Sequence, residues 1–367
     1  MLAWKRWKKS TVKQFREKEE KMKKLMFLLV GILLALSVTS PRAASSFDGI
    51  PGATDKVPAA TLICPFFEVG IDGTGNGDDT LLMVTNTSAS NKKFHYHVWD
   101  IDGKATDLEG NADIVTRGIW VMSMKTLMAT ASAATKSDLT VGSFYQGFVT
   151  IDMVTADTHD DPTSASYPFS NTDYLEGYIY YINLSAGMSN GIDMIPLEYV
   201  SGVADPSLMD FYNNSDGRER IDSDARECAK DLIDGNACSN NDYIDYIDSR
   251  VYLTPPNGSS RIVIFTWSPG LTIGPSTWCA ANGCTADLPF KQYNQSGTLV
   301  SPVTETIQLT RAVNVIEVTG TTNGWVRIED VPSGIAGYQV FAFVFNNEKS
   351  ASAALNYVAI LESYMRP

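Results

Sequence analysis

Phe94-His95-Tyr96-His97-Val98-Trp99 alternates in the period of a β-strand. A strand's two-residue period sends Phe94, Tyr96 and Val98 to one side of a sheet and His95, His97 and Trp99 to the other. One side is core, and the other is either exposed or covered by a further layer. Outward from this segment, short β-branched and aromatic runs recur between clusters of Gly, Asn, Asp, Ser and Pro. They are 60–70, 80–86, 93–101, 114–124, 143–154, 175–184, 251–254, 261–267, 304–309, 314–318, 324–330, 338–345 and 358–362. Asp102-Gly103, Asn323-Gly324 and Ser333-Gly334 suit the tight turns of antiparallel connections. Tyr338 to Phe345 is apolar on both faces, as a central strand would be. Long 3.6-residue periods are nearly missing, so the chain reads as all-β: an antiparallel β-sandwich, Ig-like or jelly-roll-like, single or two in tandem.

The organisation expected is an extension and signal over 1–44, a first β-sandwich region over 45–155, a turn-rich connection over 156–173, and a second β-rich region over 174–367. The connection carries His159-Asp160-Asp161-Pro162. Near 200–250 the second region holds an insertion of short helical or irregular pieces, rich in Asp and Asn.

Leu25 to Leu36 is an uncharged apolar run preceded by Lys21, Lys23 and Lys24 and followed by small and polar residues. That order is a secretory signal, and the run is shorter than the roughly 20 residues of a stable membrane span. Met22 is a better start for it than Met1. The expected address is secreted, extracellular or cell-surface, with the periplasm as the nearer alternative, and the mature chain is expected to have no membrane span.

The first 44 residues hold 11 of the 29 Lys and Arg but 3 of the 42 Asp and Glu. Removing them leaves 18 basic against 39 acidic side chains, so the formal net charge of −13 falls to about −21. Such a surface repels phosphate backbones, which disfavours nucleic acid, and it favours cations and cationic partners. Four of the five cysteines are close in pairs, Cys228 with Cys238 and Cys279 with Cys284. Outside the cytoplasm these read as local disulfides, the first clamping the insertion, and neither spacing matches a zinc knuckle. Cys64 lies inside an apolar run and reads as a buried, inert thiol.

Cys64-Pro65-Phe66-Phe67-Glu68-Val69, Thr80-Leu81-Leu82-Met83-Val84-Thr85-Asn86-Thr87-Ser88 and His97-Val98-Trp99-Asp100-Ile101-Asp102-Gly103 occur in this order. The set resembles a group of secreted bacterial β-sandwich proteins that open with a PFFEV strand, a TLL-VTNTS strand and an HVWD-DG strand-turn. The resemblance covers roughly the first hundred residues after the signal and implies a fold and an extracellular address, with no activity attached.

Three places carry candidate chemistry. Asp72-Gly73-Thr74-Gly75-Asn76-Gly77-Asp78-Asp79 spaces oxygen donors like the start of a calcium loop. Its twelfth position is Met83 rather than a bidentate acid, which excludes an EF-hand and leaves a loop-type Ca²⁺ site of Asp72, Asn76 and Asp78, or a plain solvated hairpin loop. His95 and His97 project to one face, as strand-borne metal ligands do, and His159 is the only other histidine. Against the metal stands a plain polar sheet face with Trp99. Trp278 adjoins the small Cys279–Cys284 loop, a fixed position from which it would touch a ligand or a glycan, although a large sandwich also buries tryptophans in its core. A nucleophile elbow, a zinc-protease motif, a phosphate loop and a dinucleotide fingerprint are all missing from the sequence. The reading is therefore a binding or structural role toward an unidentified extracellular or envelope partner or glycan, with a carbohydrate-active or other hydrolytic enzyme on a β-scaffold as the competitor.

Overall fold

The structure, a computed structural model, describes residues 58–71, 78–183, 188–199, 211–212, 218, 246–252, 258–267, 285–308, 311–318, 323–329, 339–349, 354–360 and 362–364. Asp72, Asn76, Trp278, the signal run and Cys228, Cys238, Cys279 and Cys284 lie outside these residues.

The chain begins with β1 (Thr61–Gly70), β2 (Asp78–Asn86), β3 (Lys92–Asp100), β4 (Ala105–Ile114) and β5 (Ile119–Ser123). Two short helices follow, α1 (Met124–Thr130) and α2 (Ala133–Asp138), then β6 (Thr140–Val141), β7 (Phe144–Met153), β8 (Leu175–Asn183), β9 (Met188–Asp193) and β10 (Ile195–Leu197). The remainder is β11 (Tyr246–Tyr252), β12 (Gly258–Trp267), β13 (Thr285–Asn294), β14 (Leu299–Gln308), β15 (Val313–Val318), β16 (Gly324–Glu329), β17 (Gln339–Lys349), β18 (Ala354–Ile360) and β19 (Glu362–Tyr364).

These strands make four sheets. The first runs β10-β1-β7-β3-β4 with β6 added to β7, the second β5-β2-β8-β9, the third β15-β12-β17-β18, and the fourth β14-β13-β16-β11-β19. Every ladder between the described strands is antiparallel. The all-β sandwich expected from the alternation is what the chain adopts.

The first sheet is covered on both faces. Phe94 and Tyr96 meet Trp120 of the second sheet, with ring centroids 4.9 and 5.7 Å apart. On the opposite face Trp99 stacks on Phe148 at 5.7 Å, and Trp267 of the third sheet closes on both, at 5.2 and 5.3 Å. Phe265 adds an edge contact to Phe148 at 4.9 Å. One buried apolar cluster therefore runs from Leu82 and Val84 through Phe94, Trp99 and Phe148 to Val263, Phe265, Val313 and Phe343. A polar tie supplements it: Arg261 of β12 donates two bonds to the Glu68 carboxylate of β1, at 2.9 and 3.0 Å. Gln146 donates a third at 2.8 Å.

Three departures from the sequence reading have local causes. Residues 114–124 are two strands rather than one, because the chain turns at Val115–Gly118: Arg117 takes a left-handed φ of 53° and Gly118 N–H bonds Val115 C=O at 2.8 Å. Helix α1 was missed, since the expected strand ended on its first residue, Met124, and the seven residues are too few to show a helical period. It is capped by Ser123, whose hydroxyl accepts from Thr126 N–H, and it buries Met124 and Met128 one turn apart. Strand β4 is acidic and Gly-containing, so it reads as loop, yet it pairs with β3 across the turn at Gly103, where φ is +81°. Asp100 braces that turn by accepting from Asp102 N–H and Lys104 N–H at 2.9 and 2.8 Å.

Cys64 is buried and its thiol donates to Phe66 C=O at 3.1 Å; burial pushes its pKa up. Asp78 opens β2, its carboxyl raised by burial and by the charge of Glu68, against the pull of Arg261 and Lys125.

Phe148→Ala is expected to cost about 3–5 kcal/mol in denaturant unfolding, because the Trp99, Phe265 and Trp267 rings around it cannot collapse into the hole together; a loss under about 1 kcal/mol would contradict the interlock. Asp173 is pushed up to about 6 by burial, although it accepts Tyr199 N–H at 2.7 Å. Its folded value exceeds the unfolded one, so the native state takes up this proton first and stability falls as pH rises from about 4 to 6. The stability of Asp173→Asn relative to the natural protein should accordingly increase across that window and level off above it in pH-dependent melts.

Candidate functional site

The inner face of the first sheet is dry but not apolar. Across β1, β7, β3 and β4 the register places Thr61 beside Asp152, Asp152 beside His95, His97 between Thr150 and Glu109, and His95 beside Asn111. Period-two alternation then sends all of these side chains to one face, together with Trp99 and Phe148. The ladder between β3 and β4 shifts between His97 and Trp99, so Glu109 rather than Asp107 lies opposite His97. The bulge slips the register by two residues, which keeps acidic side chains on the histidine face.

All three histidines of the chain converge on Glu109. His95 Nε2 and His97 Nδ1 lie 3.2 and 3.4 Å from Glu109 Oε2, and His159 Nδ1 lies 3.0 Å from Oε1. The first two contacts are close but misaligned: His95 Nε2, both nitrogens of His97 and Glu109 Oε2 are buried with no hydrogen-bond partner. Donor atoms of His95, His97 and Glu109 all fall within 4.8 Å of one another.

His159 belongs to the turn-rich 156–173 segment, which folds back on the sheet. Asn111 holds this segment by donating to Thr158 C=O at 2.7 Å and accepting Thr158 N–H at 3.1 Å. Lys93 pairs with Asp157 at 2.5 Å. The histidine side chain is 81% exposed while those of Glu109 and His95 are 16% and 0%, so the cluster meets solvent on the His159 side.

Behind the histidines lies a second polar layer. Asp152 accepts from Thr61 Oγ1 at 2.5 Å and from the Tyr212 hydroxyl at 2.9 and 3.1 Å. Arg218 donates from Nε to Thr61 Oγ1 at 3.1 Å and from Nη2 to Ser170 C=O at 2.9 Å. The Tyr167 hydroxyl sits 2.8 Å from His95 Nδ1 and 3.5 Å from Asp152 Oδ2.

Burial sets the charges. It lowers His95 to about 4, against the opposing pull of Glu109, so this imidazole is neutral at physiological pH. Burial alone would raise the Glu109 carboxyl, but the imidazoles of His97, His159 and His95 hold it below its usual value and keep it ionised. Asp152 is pushed up to about 6 by burial, with the Thr61 bond and Arg218 opposing. The hydroxyls of Tyr167 and Tyr212 are raised by burial and by the Asp152 charge. A neutral imidazole and an ionised carboxylate are the protonation states in which these groups bind metal.

His95 and His97 were singled out in the sequence, with His159 named as the third histidine at an unknown distance; Glu109, Tyr167 and Asp152 were not. The Asp102-Gly103 turn announces a partner strand right after β3, and that was the available signal for Glu109. A straight count from the turn fails at the bulge. Trp267 is spent in the core, and Trp325 stacks on Tyr293 at 3.9 Å.

No protein-family model matches the chain, and no curated protein matches it. Among solved structures it is similar to the M60 catalytic domain with CBM51 domains from Clostridium perfringens ZmpB, at 9% identity over 80% of this chain and 33% of that one, TM-score 0.14. A lectin from Pleurotus ostreatus in complex with GalNAc aligns at 12% identity over 85% and 78%, TM-score 0.15. The pilus backbone RrgB from Streptococcus pneumoniae aligns at 10% identity over 86% and 83%, TM-score 0.14. The chain spans a third or less of the Clostridium perfringens structure and of the Bacteroides uniformis β-glucuronidase 2 structures it matches. Scores this low carry no weight for fold or function.

Proposed function

We propose that this chain is an exported β-sandwich protein that acts by binding, and that it holds a divalent first-row transition ion, Zn²⁺ foremost, between His95, His97 and Glu109. The observation that carries this is the convergence of two buried imidazoles on one buried carboxylate oxygen with no hydrogen bond satisfying any of the facing atoms. Buried polar atoms are nearly always paired, and an orphaned set of two nitrogens and an oxygen is the donor set that Zn²⁺, Cu²⁺ and Ni²⁺ take. The strongly acidic surface expected after signal removal raises the local cation concentration.

Export rests on the Leu25–Leu36 run and its lysine flank, and the oxidising address is what makes disulfides at Cys228–Cys238 and Cys279–Cys284 part of the same reading. One observation favours the hydrolytic competitor: three protein ligands leave a fourth position on the exposed His159 side, as catalytic zinc sites do. A Co²⁺-loaded sample separates the two, since a water-free four-coordinate spectrum with His159 bound leaves no place for a substrate.

Calorimetric titration of the metal-free protein with Zn²⁺ is expected to give one site and an increase in melting temperature. Glu109→Ala and His97→Ala should each weaken it by more than about 100-fold, beyond the usual cost of losing an outer-shell group. No heat and no thermal shift with Zn²⁺, Cu²⁺, Ni²⁺ or Co²⁺ would remove the metal from this reading. Fractionation of the host should place the protein outside the cytoplasm.

A further inference from the structure

We propose that Asp152 and Tyr167 are positioning residues that fix the tautomer of His95, holding its proton on Nδ1 and leaving Nε2 an unprotonated acceptor beside Glu109. This rests on the metal reading above, and it supplies the reason the site is ready for a cation before one arrives.

The proton directions follow from what each group is able to donate. Arg218 has only donors, so Thr61 Oγ1 accepts from Arg218 Nε and must give its own proton elsewhere. The acceptor within reach is Asp152 Oδ1 at 2.5 Å. The Tyr212 hydroxyl also donates to this carboxylate. Tyr167 has one proton and two neighbours, His95 Nδ1 at 2.8 Å and Asp152 Oδ2 at 3.5 Å. The Tyr167 hydroxyl is placed to donate to Asp152 Oδ2, and with its proton there the phenol oxygen is an acceptor toward His95. Nδ1 must then carry the imidazole proton, and a neutral imidazole has only one.

Nε2 is left as a bare lone pair 3.2 Å from Glu109 Oε2, with no proton to place between them. His97 Nδ1 meets the same oxygen from 3.4 Å. Two acceptors facing each other in a dry site repel, and a cation between them converts the repulsion into coordination. Outer-shell groups that set the ligand tautomer are typically worth 10–100-fold in metal affinity.

The test begins without metal. Long-range ¹H–¹⁵N spectra of the histidine rings in the metal-free protein at pH 7.5 report each tautomer directly, and His95 is expected as Nδ1–H. Tyr167→Phe removes the acceptor. Asp152→Asn keeps Tyr167 but presents an amide donor to it, so the Tyr167 proton turns toward His95 Nδ1. Both variants should shift His95 toward Nε2–H and weaken Zn²⁺ binding about 10–100-fold with every ligand still in place.

Nε2–H in the natural protein, or an unmoved tautomer in both folded variants, would overturn the relay. Should neither variant fold, the tautomer of the natural protein decides alone. A His95 that is Nδ1–H in a protein that ignores Zn²⁺ keeps the relay and sinks the metal; Zn²⁺ binding by an Nε2–H His95 does the reverse.

Discussion

Trp99 stacks on Phe148, Trp267 closes over both and Phe265 over Phe148, and this aromatic interlock joins the first sheet to the third. It docks the third sheet on a face of the first that many antiparallel sheets leave to water. With the second sheet on the other side, β3 and β7 lose solvent on both faces. Their polar side chains are then obliged to satisfy one another, because an unpaired polar group in such a place costs on the order of 1–3 kcal/mol.

Two neighbouring polar sets meet this obligation differently. Around Asp152, donors from Thr61, Tyr212 and Tyr167 face a single acceptor, and Arg218 compensates charge from one residue further away. That set is complete. Around Glu109, His95 Nε2, both nitrogens of His97 and the carboxylate Oε2 are left without a hydrogen bond, and a cation between them would complete the set. Tyr167 bridges the two sets, so the satisfied cluster fixes the protons of the unsatisfied one.

Much of the fold was legible because it rests on period two. Phe94 to Trp99 alternates, and its two sides meet two different layers; Tyr338 to Phe345 is apolar on both faces and contributes Phe343 and Val344 to the interior. What escaped did so where local composition and tertiary demand disagree. Helix α1 is too short to show a helical period and is held by a cap, while β4 is polar enough to read as loop and is held by its ladder to β3. The histidine pair was visible for the same reason that β3 was.

By itself, then, the sequence determined an antiparallel all-β chain, the common face of His95 and His97, and a hairpin turn after β3, since each follows from local alternation or from one glycine's backbone freedom. Packing and register, by contrast, set that this face is dry, that a bulge puts Glu109 rather than Asp107 opposite His97, and that His159, far along the chain, reaches the same carboxylate. Those outcomes depend on which sheet covers which and on a two-residue slip in a ladder. Neither is encoded in the residues of the strand itself, because packing partners and register are set by contacts between segments distant in sequence.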